Sequence, residues 1–274
     1  MNTKRITATL LIAVFLVSAI PLYVPSVRAN SVINVPSDYS TIQAAINAAS
    51  PGDTVLVGPG TYEPFGWIGK NNLTVKSTDG PSVTFVTGRW AVIGGSYYMT
   101  GVYVGESADA RIEGFDVSCS GGNGIWVYAG SGKESPRATV KNNIVHDCCS
   151  QGITLARAPN SLIENNTVYG NSFGGGDGMG IWVSYYSHDT IVRGNEVYNT
   201  KGNGYWDSGI YVSQQGTGVI IENNDIHGNV IGIRVMVNGV LARYNNIYGN
   251  TKCGVTGMGT YSIDASLVGG CHWS

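Results

Sequence analysis

A seven-residue pattern that returns six times from Arg111 onward restricts the fold more than any other feature. The segments RIEGFDV, TVKNNIV, LIENNTV, IVRGNEV, IIENNDI and LARYNNI begin at Arg111, Thr139, Leu162, Ile191, Ile220 and Leu241. Each is followed by a second short stretch: GIWV at Gly124, GITL at Gly152, GIWV at Gly180, GIYV at Gly209, GIRV at Gly232 and GVTG at Gly254. The period is about 21 to 29 residues, typical of a solenoid. A unit this short cannot bury an apolar face alone, so its neighbours must cover it. The chain has 39 glycines, and long runs free of Gly, Asn or Pro are scarce after Ser50, so helices are few there. The expected fold is all-β: a single-stranded right-handed parallel β-helix, with clear repeats over 110–258.

Alternation assigns the faces. Ile112, Val140, Ile163, Val192, Ile221 and Ala242 point inward, as do Val117, Val145, Val168, Val197, Ile226 and Ile247. Ile125, Ile153, Ile181, Ile210, Ile233 and Val255 line another inner wall. Equivalent residues should stack at roughly 4.8 Å per coil. Asn143, Asn166, Asn195, Asn224 and Asn245 share one position, with Phe115 in the first repeat. An inward Asn at a bend can bond the backbone of its own and adjacent coils and tolerate left-handed geometry. The outward position before this bend reads Glu113, Lys141, Glu164, Arg193, Glu222, Arg243. The sign alternates at every step, so in-register stacking places unlike charges side by side. Each exposed pair is weak, about 0.2–1 kcal/mol, so the alternation speaks for register more than for stability.

The start of the chain carries two further signals. Residues 1–29 read as an export signal: Lys4 and Arg5, an apolar run from Ile6 to Ile20, then Val27-Arg28-Ala29 for cleavage. The mature β-helix domain is then 30–274, outside the cytoplasm, with no membrane span. Ile42, Ala45, Ile46 and Ala49 lie at helical spacing, so a capping helix is expected over about 40–49. Asp38 or Ser40 can cap its start, and Pro51-Gly52 stops it. That helix would cover the open apolar end of the stack. Five cysteines fit an oxidising compartment. The register predicts Cys119–Cys148, with Cys149 as competitor, and the C-terminal placement suggests Cys253–Cys271.

IENNTVYGN (163–171), IENNDIHGN (221–229), YNNIYGN (244–250) and STIQAAINAASPGDTVLVGPGTYEP (40–64) resemble the β-helix repeats and N-terminal region of the pectate-lyase-like superfamily. The likeness is nearest to the NosD-like periplasmic copper-binding group and the carbohydrate-binding and sugar-hydrolase β-helix group, and it covers most of the mature chain. It implies the fold and leaves the chemistry open. The QDTL and DFIFG motifs of pectinesterases do not occur, nor do the NTD, DD and GHG motifs of polygalacturonases or the Asp-Pro-His motif of alginate epimerases. Ser187-His188-Asp189 looks like epimerase repeats but falls in a turn before a strand.

Two adjacent coils carry inserts, Gly170 to Gly180 and Asn199 to Gly209, and the resemblance makes this edge the place to look for a cleft. Asp177 and Asp207 precede equivalent strands, so their carboxyls could lie roughly 5–8 Å apart. That spacing suits acid/base glycoside hydrolysis or, with further oxygens, a Ca²⁺ site; ordinary turn aspartates are the other reading. The outward positions of the neighbouring face are Trp126, Thr154, Trp182, Tyr211, Arg234 and Thr256, with Trp206 nearby in sequence. Exposed indoles can stack on sugar rings, and Arg234 can pair with a uronate carboxylate; the inserts could equally cover these aromatics. The leading expectation is therefore an extracytoplasmic carbohydrate-binding protein whose partner is a polysaccharide or cell-surface glycan, acidic polysaccharide included. Trp126, Trp182, Trp206, Tyr211 and Arg234 would bind it, with Asp177 and Asp207 as the candidate catalytic pair. A polysaccharide lyase or hydrolase and a non-catalytic surface protein are the alternatives. With 16 basic against 18 acidic residues, nucleic acid is a poor partner. Copper handling fits least: His146 and His227 share a stack position three coils apart, roughly 14 Å. No cofactor is expected, with Ca²⁺ as the alternative.

Overall fold

A computed structural model describes residues 29–202, 204–258 and 261–263. The export signal expected at 1–29 lies, apart from Ala29, outside the described residues. Among the described residues, most coils contribute one short strand to each of three parallel sheets of 10, 8 and 8 strands. The first sheet runs from Val32–Val35 through Thr54–Val57 to Tyr261–Ile263. The second runs from Gly60–Tyr62 to Asn246–Tyr248, and the third from Phe65–Ile68 to Cys253–Gly257. The stack therefore begins about two coils before the recognisable repeats. One antiparallel hairpin, Ala91–Ile93 with Ser96–Tyr98, departs from the pattern.

The register is the expected one. Ile163 pairs with Val140 and Val192, Val168 with Val145 and Val197, and Ile181 with Ile153 and Ile210. These columns are fully buried and form one continuous core. The glycine near the start of most third-sheet strands is there for space. A Cβ on Gly124, Gly152, Gly180, Gly209 or Gly232 would lie 2.4–2.9 Å from the carbonyl oxygen of the next coil's glycine.

The asparagine column is continuous. The backbone N–H groups of Phe115, Asn143, Asn166, Asn195 and Asn224 each donate to the side-chain oxygen of the next coil's asparagine at 2.9–3.0 Å. The left-handed backbone belongs to the residue before each one, not to the inward Asn: Asn142, Asn165, Asn223 and Tyr244 have φ between 53° and 57°. A second column runs through Asn171, Asn229 and Asn250, whose side-chain oxygens accept N–H bonds from Cys148, Thr200 and Asn229. The outward charges pair as Lys141–Glu113 at 3.3 Å, Arg193–Glu164 at 2.7 Å and Arg243–Glu222 at 2.7 Å. Lys76 stands in register with Glu113, so the alternation extends one coil further back.

The cap is a helix of seven residues, Ile42–Ala48, and it buries Ile42, Ala45 and Ile46 on the end of the stack. Its N-cap is Thr41, whose hydroxyl accepts from the Ala44 N–H; neither Asp38 nor Ser40 caps it. Asp38 is engaged upstream, where its carboxylate accepts from the Asn34 N–H. The expected Cys119–Cys148 bridge is not formed either. Both are buried thiols directed at separate carbonyls, Cys119 at Arg89 and Cys148 at His146, and Cys149 is also unbridged. Burial pushes the Cys119 and Cys148 thiols up. Cys271 lies outside the described residues.

Candidate functional site: a groove across the third sheet

The outward column of the third sheet reads Tyr103, Trp126, Thr154, Trp182, Tyr211, Arg234 in register. Only its middle remains open. At one end the hairpin folds over Tyr103, with Tyr98 stacked on it at 4.1 Å between ring centroids. At the other end the Asn199–Gly209 insert lies over the column. Trp206 stacks on Tyr211 at 5.9 Å. Arg234 sits 5.1 Å from the Tyr205 ring and 5.4 Å from Trp206, and donates to the Tyr205 carbonyl. Tyr211 is consequently 7% exposed and Arg234 5%. Of the residues expected to form a binding face, Tyr211 and Arg234 are covered, and Trp206 is the half-buried cover. Trp126 and Trp182 remain accessible.

Between these two tryptophans the strand Ile153–Ala156 turns only Thr154 and Ala156 outward. Small residues flanked by large ones make a trough, here a cavity of about 350 Å³. Trp126, Tyr128, Trp182 and Tyr185 form its sides, Met99 and Asn123 one rim, and Ser150 and Gln151 a polar corner. Trp126 meets Tyr103 edge-on at 5.5 Å, and the Trp182 Nε1 donates to the Ser213 hydroxyl at 3.0 Å, so both indoles are held from outside the trough. The Thr154 hydroxyl at the floor is buried and has no hydrogen-bond partner among the described residues. An aromatic-walled trough with a polar corner is the usual make-up of a small-ligand site.

The two inserts interlock through the candidate carboxylates. Asp207 is buried and accepts from the Gly178 N–H, while Asp177, exposed, accepts from the Trp206 N–H at 3.0 Å. Each carboxylate thus ties down the backbone of the other insert. Burial raises the Asp207 carboxyl; backbone N–H groups oppose that shift, and the nearby Asp177 charge adds to it. Among the described residues no three His, Cys, Asp or Glu side chains come together to hold a metal ion. With an oxygen of each aspartate already bonded to backbone, the donor set does not fit Ca²⁺, which takes six to eight oxygens.

His146 and His227 share a column on the second sheet, but with Tyr169, Tyr198 and Tyr248 they form one ring stack. Successive centroids are 4.9–5.0 Å apart and planes within 16° of parallel. The ring nitrogens of His146 are engaged by Asp116 at 2.8 Å and Asp147 at 3.0 Å, so they do not converge with His227 on an ion.

Three coil-built parallel sheets around an apolar column, with a lateral groove on one of them, define a right-handed β-helix protein. The chain belongs to the family described as the right handed beta helix region, whose pattern matches residues 95–232. The A-module of an Azotobacter vinelandii mannuronan C-5 epimerase, AlgE4, shares the fold at a TM-score of 0.54 and 18% identity, over 75% of this chain and 65% of that one. The Dettilon tailspike protein gp208 matches at 0.58 and 15%, over 86% and 48%. The protein XylC, solved with xylose, matches at 0.56 and 12%, over 85% and 68%. The chain thus spans less than two thirds of the first two. At these identities the likeness is one of fold. No curated protein matches the chain.

Proposed function

We propose that the groove binds carbohydrate, outside the cytoplasm, with Trp126 and Trp182 as the two contact walls. The observation that carries this reading is the trough itself. Two accessible indoles flank a coil reduced to Thr154 and Ala156, while the same column is roofed on both sides. Sugar C–H faces pack on indole, and ring hydroxyls can bond the Gln151, Ser150 and Asn123 side chains at the margin. The fold shared with a protein named for mannuronan epimerisation and with one solved in complex with xylose supports a carbohydrate role. The export signal read in residues 1–29 supports the location, and among the described residues no helix is long and apolar enough to cross a membrane.

The test is oligosaccharide binding followed by tryptophan fluorescence. Trp182→Ala should weaken the best ligand roughly 5- to 20-fold, from the loss of one stacking face. Unchanged affinity in both Trp126→Ala and Trp182→Ala, with the fold intact, would remove this reading.

A second reading, hydrolase or lyase, is favoured by one observation: a carboxyl raised by burial, Asp207, beside a second one, Asp177. Its check is release of reducing or unsaturated ends from uronate polymers. Activity unchanged in Asp177→Asn would clear Asp177 of any catalytic part.

A further inference from the structure

The central cavity shares lining with a second one, and a third lies next to it along the same coil. Ser150 and Gln151 also line a second cavity of about 400 Å³ that reaches Asp177. At the other end, Ala156 and Tyr185 are followed in sequence by Arg157 and Tyr186, which line a third cavity of about 420 Å³ with Lys133 and Glu134. All three cavities follow a single coil, Cys149 to Arg157. The groove therefore runs along the strand direction, across the solenoid axis. At roughly 3.3 Å per residue it is at most about 26 Å long, room for several sugar units.

Charge is distributed unevenly along it. The lining of the central cavity contains no Asp, Glu, Lys, Arg or His. One end holds the exposed Asp177. At the other, Lys133 is already paired with Glu106 at 2.6 Å. Arg157 has no carboxylate partner among the described residues; its guanidinium lies 5.2 Å from the Tyr186 ring. Glu134 shares that cavity without an ion pair among the described residues. A ligand carboxylate in the middle would lose water and gain no cation, which is costly. Beside Arg157 it would gain a charge-assisted, two-pronged pair.

We propose that the ligand is a mixed glycan laid across the solenoid axis, with a neutral sugar between Trp126 and Trp182 and an acidic sugar beside Arg157. This rests on the carbohydrate reading above and narrows it. A polymer made only of uronic acid puts a carboxylate in the uncharged middle in every register. A wholly neutral polymer leaves Arg157 unpaired. Asp177 at the far end sets the direction, because it repels an acidic sugar placed there.

The test is a glycan array carrying neutral, all-uronate and mixed neutral–uronate oligosaccharides, probed with the full chain. Mixed glycans should bind best, and chemical reduction of their carboxyls should cost about tenfold. Arg157→Gln should bring the unreduced glycan down to that same level, and Glu134→Gln, which removes a repulsion, should tighten it. Strongest binding to all-uronate or wholly neutral glycans would overturn the proposal while leaving the carbohydrate reading in place. So would a reduced glycan that binds as well as the original. No binding to any glycan, or binding that survives Trp126→Ala and Trp182→Ala, would remove the carbohydrate reading and this proposal with it.

Discussion

Replacing Asn195 with alanine probes the asparagine column at its centre. The Asn195 Oδ1 accepts from the Asn166 N–H and from Asn166 Nδ2, both at 2.9 Å. Its Nδ2 donates to the carbonyls of Ile163 and Arg193 at 3.0 Å and to Asn224 Oδ1 at 2.9 Å. Alanine keeps the backbone N–H bond to Asn224, so that oxygen retains a partner. The Asn166 N–H and amide lose their shared acceptor, and the Ile163 carbonyl loses a donor, inside the core. At about 1–3 kcal/mol per buried unsatisfied group, with water entering part of the space left by the side chain, the expected loss is roughly 3–5 kcal/mol. Urea unfolding followed by circular dichroism measures it, and hydrogen exchange at the Asn166 amide localises it. The control is Asn246→Ala, an exposed asparagine two coils on with a single 3.3 Å side-chain bond to Asp225, which should cost under about 0.5 kcal/mol. A loss below about 1 kcal/mol at Asn195, or equal losses at both sites, would show that these asparagines merely favour the turn.

His146 should titrate near pH 9, because hydrogen bonding to Asp116 first, and Asp147 as well, raises it from the ordinary 6.5 to about 9 against the opposing effect of burial. A raised histidine stabilises the fold fully below about pH 6.5 and loses that contribution as pH climbs through about 9. The drop is of order 2 kcal/mol once solvent screening at the exposed Asp147 is allowed for, and His146→Gln should flatten it. An imidazole titrating near 6.5 by NMR would refute the assignment. In the charge column, Arg193→Glu would place three carboxylates in adjacent register positions, Glu164, residue 193 and Glu222. The expected loss is about 1–2 kcal/mol at low ionic strength, shrinking in salt as the repulsion is screened. A salt-independent loss would mean the charges do not lie side by side.

The sequence carried the register because a solenoid repeats each decision. Ile163 alone says little, but Ile112 to Ala242 at one phase leave a single face for the core. The alternation from Glu113 to Arg243 confirmed that phase without reference to hydrophobicity. Isolated positions were harder to read. Asn171, Asn229 and Asn250 form a column of their own, yet Cys148 and Thr200 stand in it and hide the pattern. Cys119 and Cys148 lie on neighbouring coils as expected, but side-chain direction separates two thiols that spacing brings near. The path of the inserts was not legible. Nothing periodic indicates that Trp206 turns back onto Tyr211 or that Tyr205 covers Arg234, so an open face and a covered one read alike.

The site is better understood as an interruption than as a motif. In a parallel stack the inward columns supply most of the stability, and the outward residues of each coil are free to vary at small cost. Along the third sheet those residues are aromatic or roofed from Tyr103 to Arg234, except in the coil that presents Thr154 and Ala156. A small side chain there removes little buried apolar area from the core, yet it opens a trough with its walls already supplied by Trp126 and Trp182. The hairpin and the Asn199–Gly209 insert then confine that opening to one coil, which gives the groove its direction across the axis. Because Trp206 and Tyr205 seal off Arg234, the one guanidinium left to meet a ligand charge along that coil is Arg157. Recognition of charge is thereby displaced to the end of the groove, away from its aromatic centre.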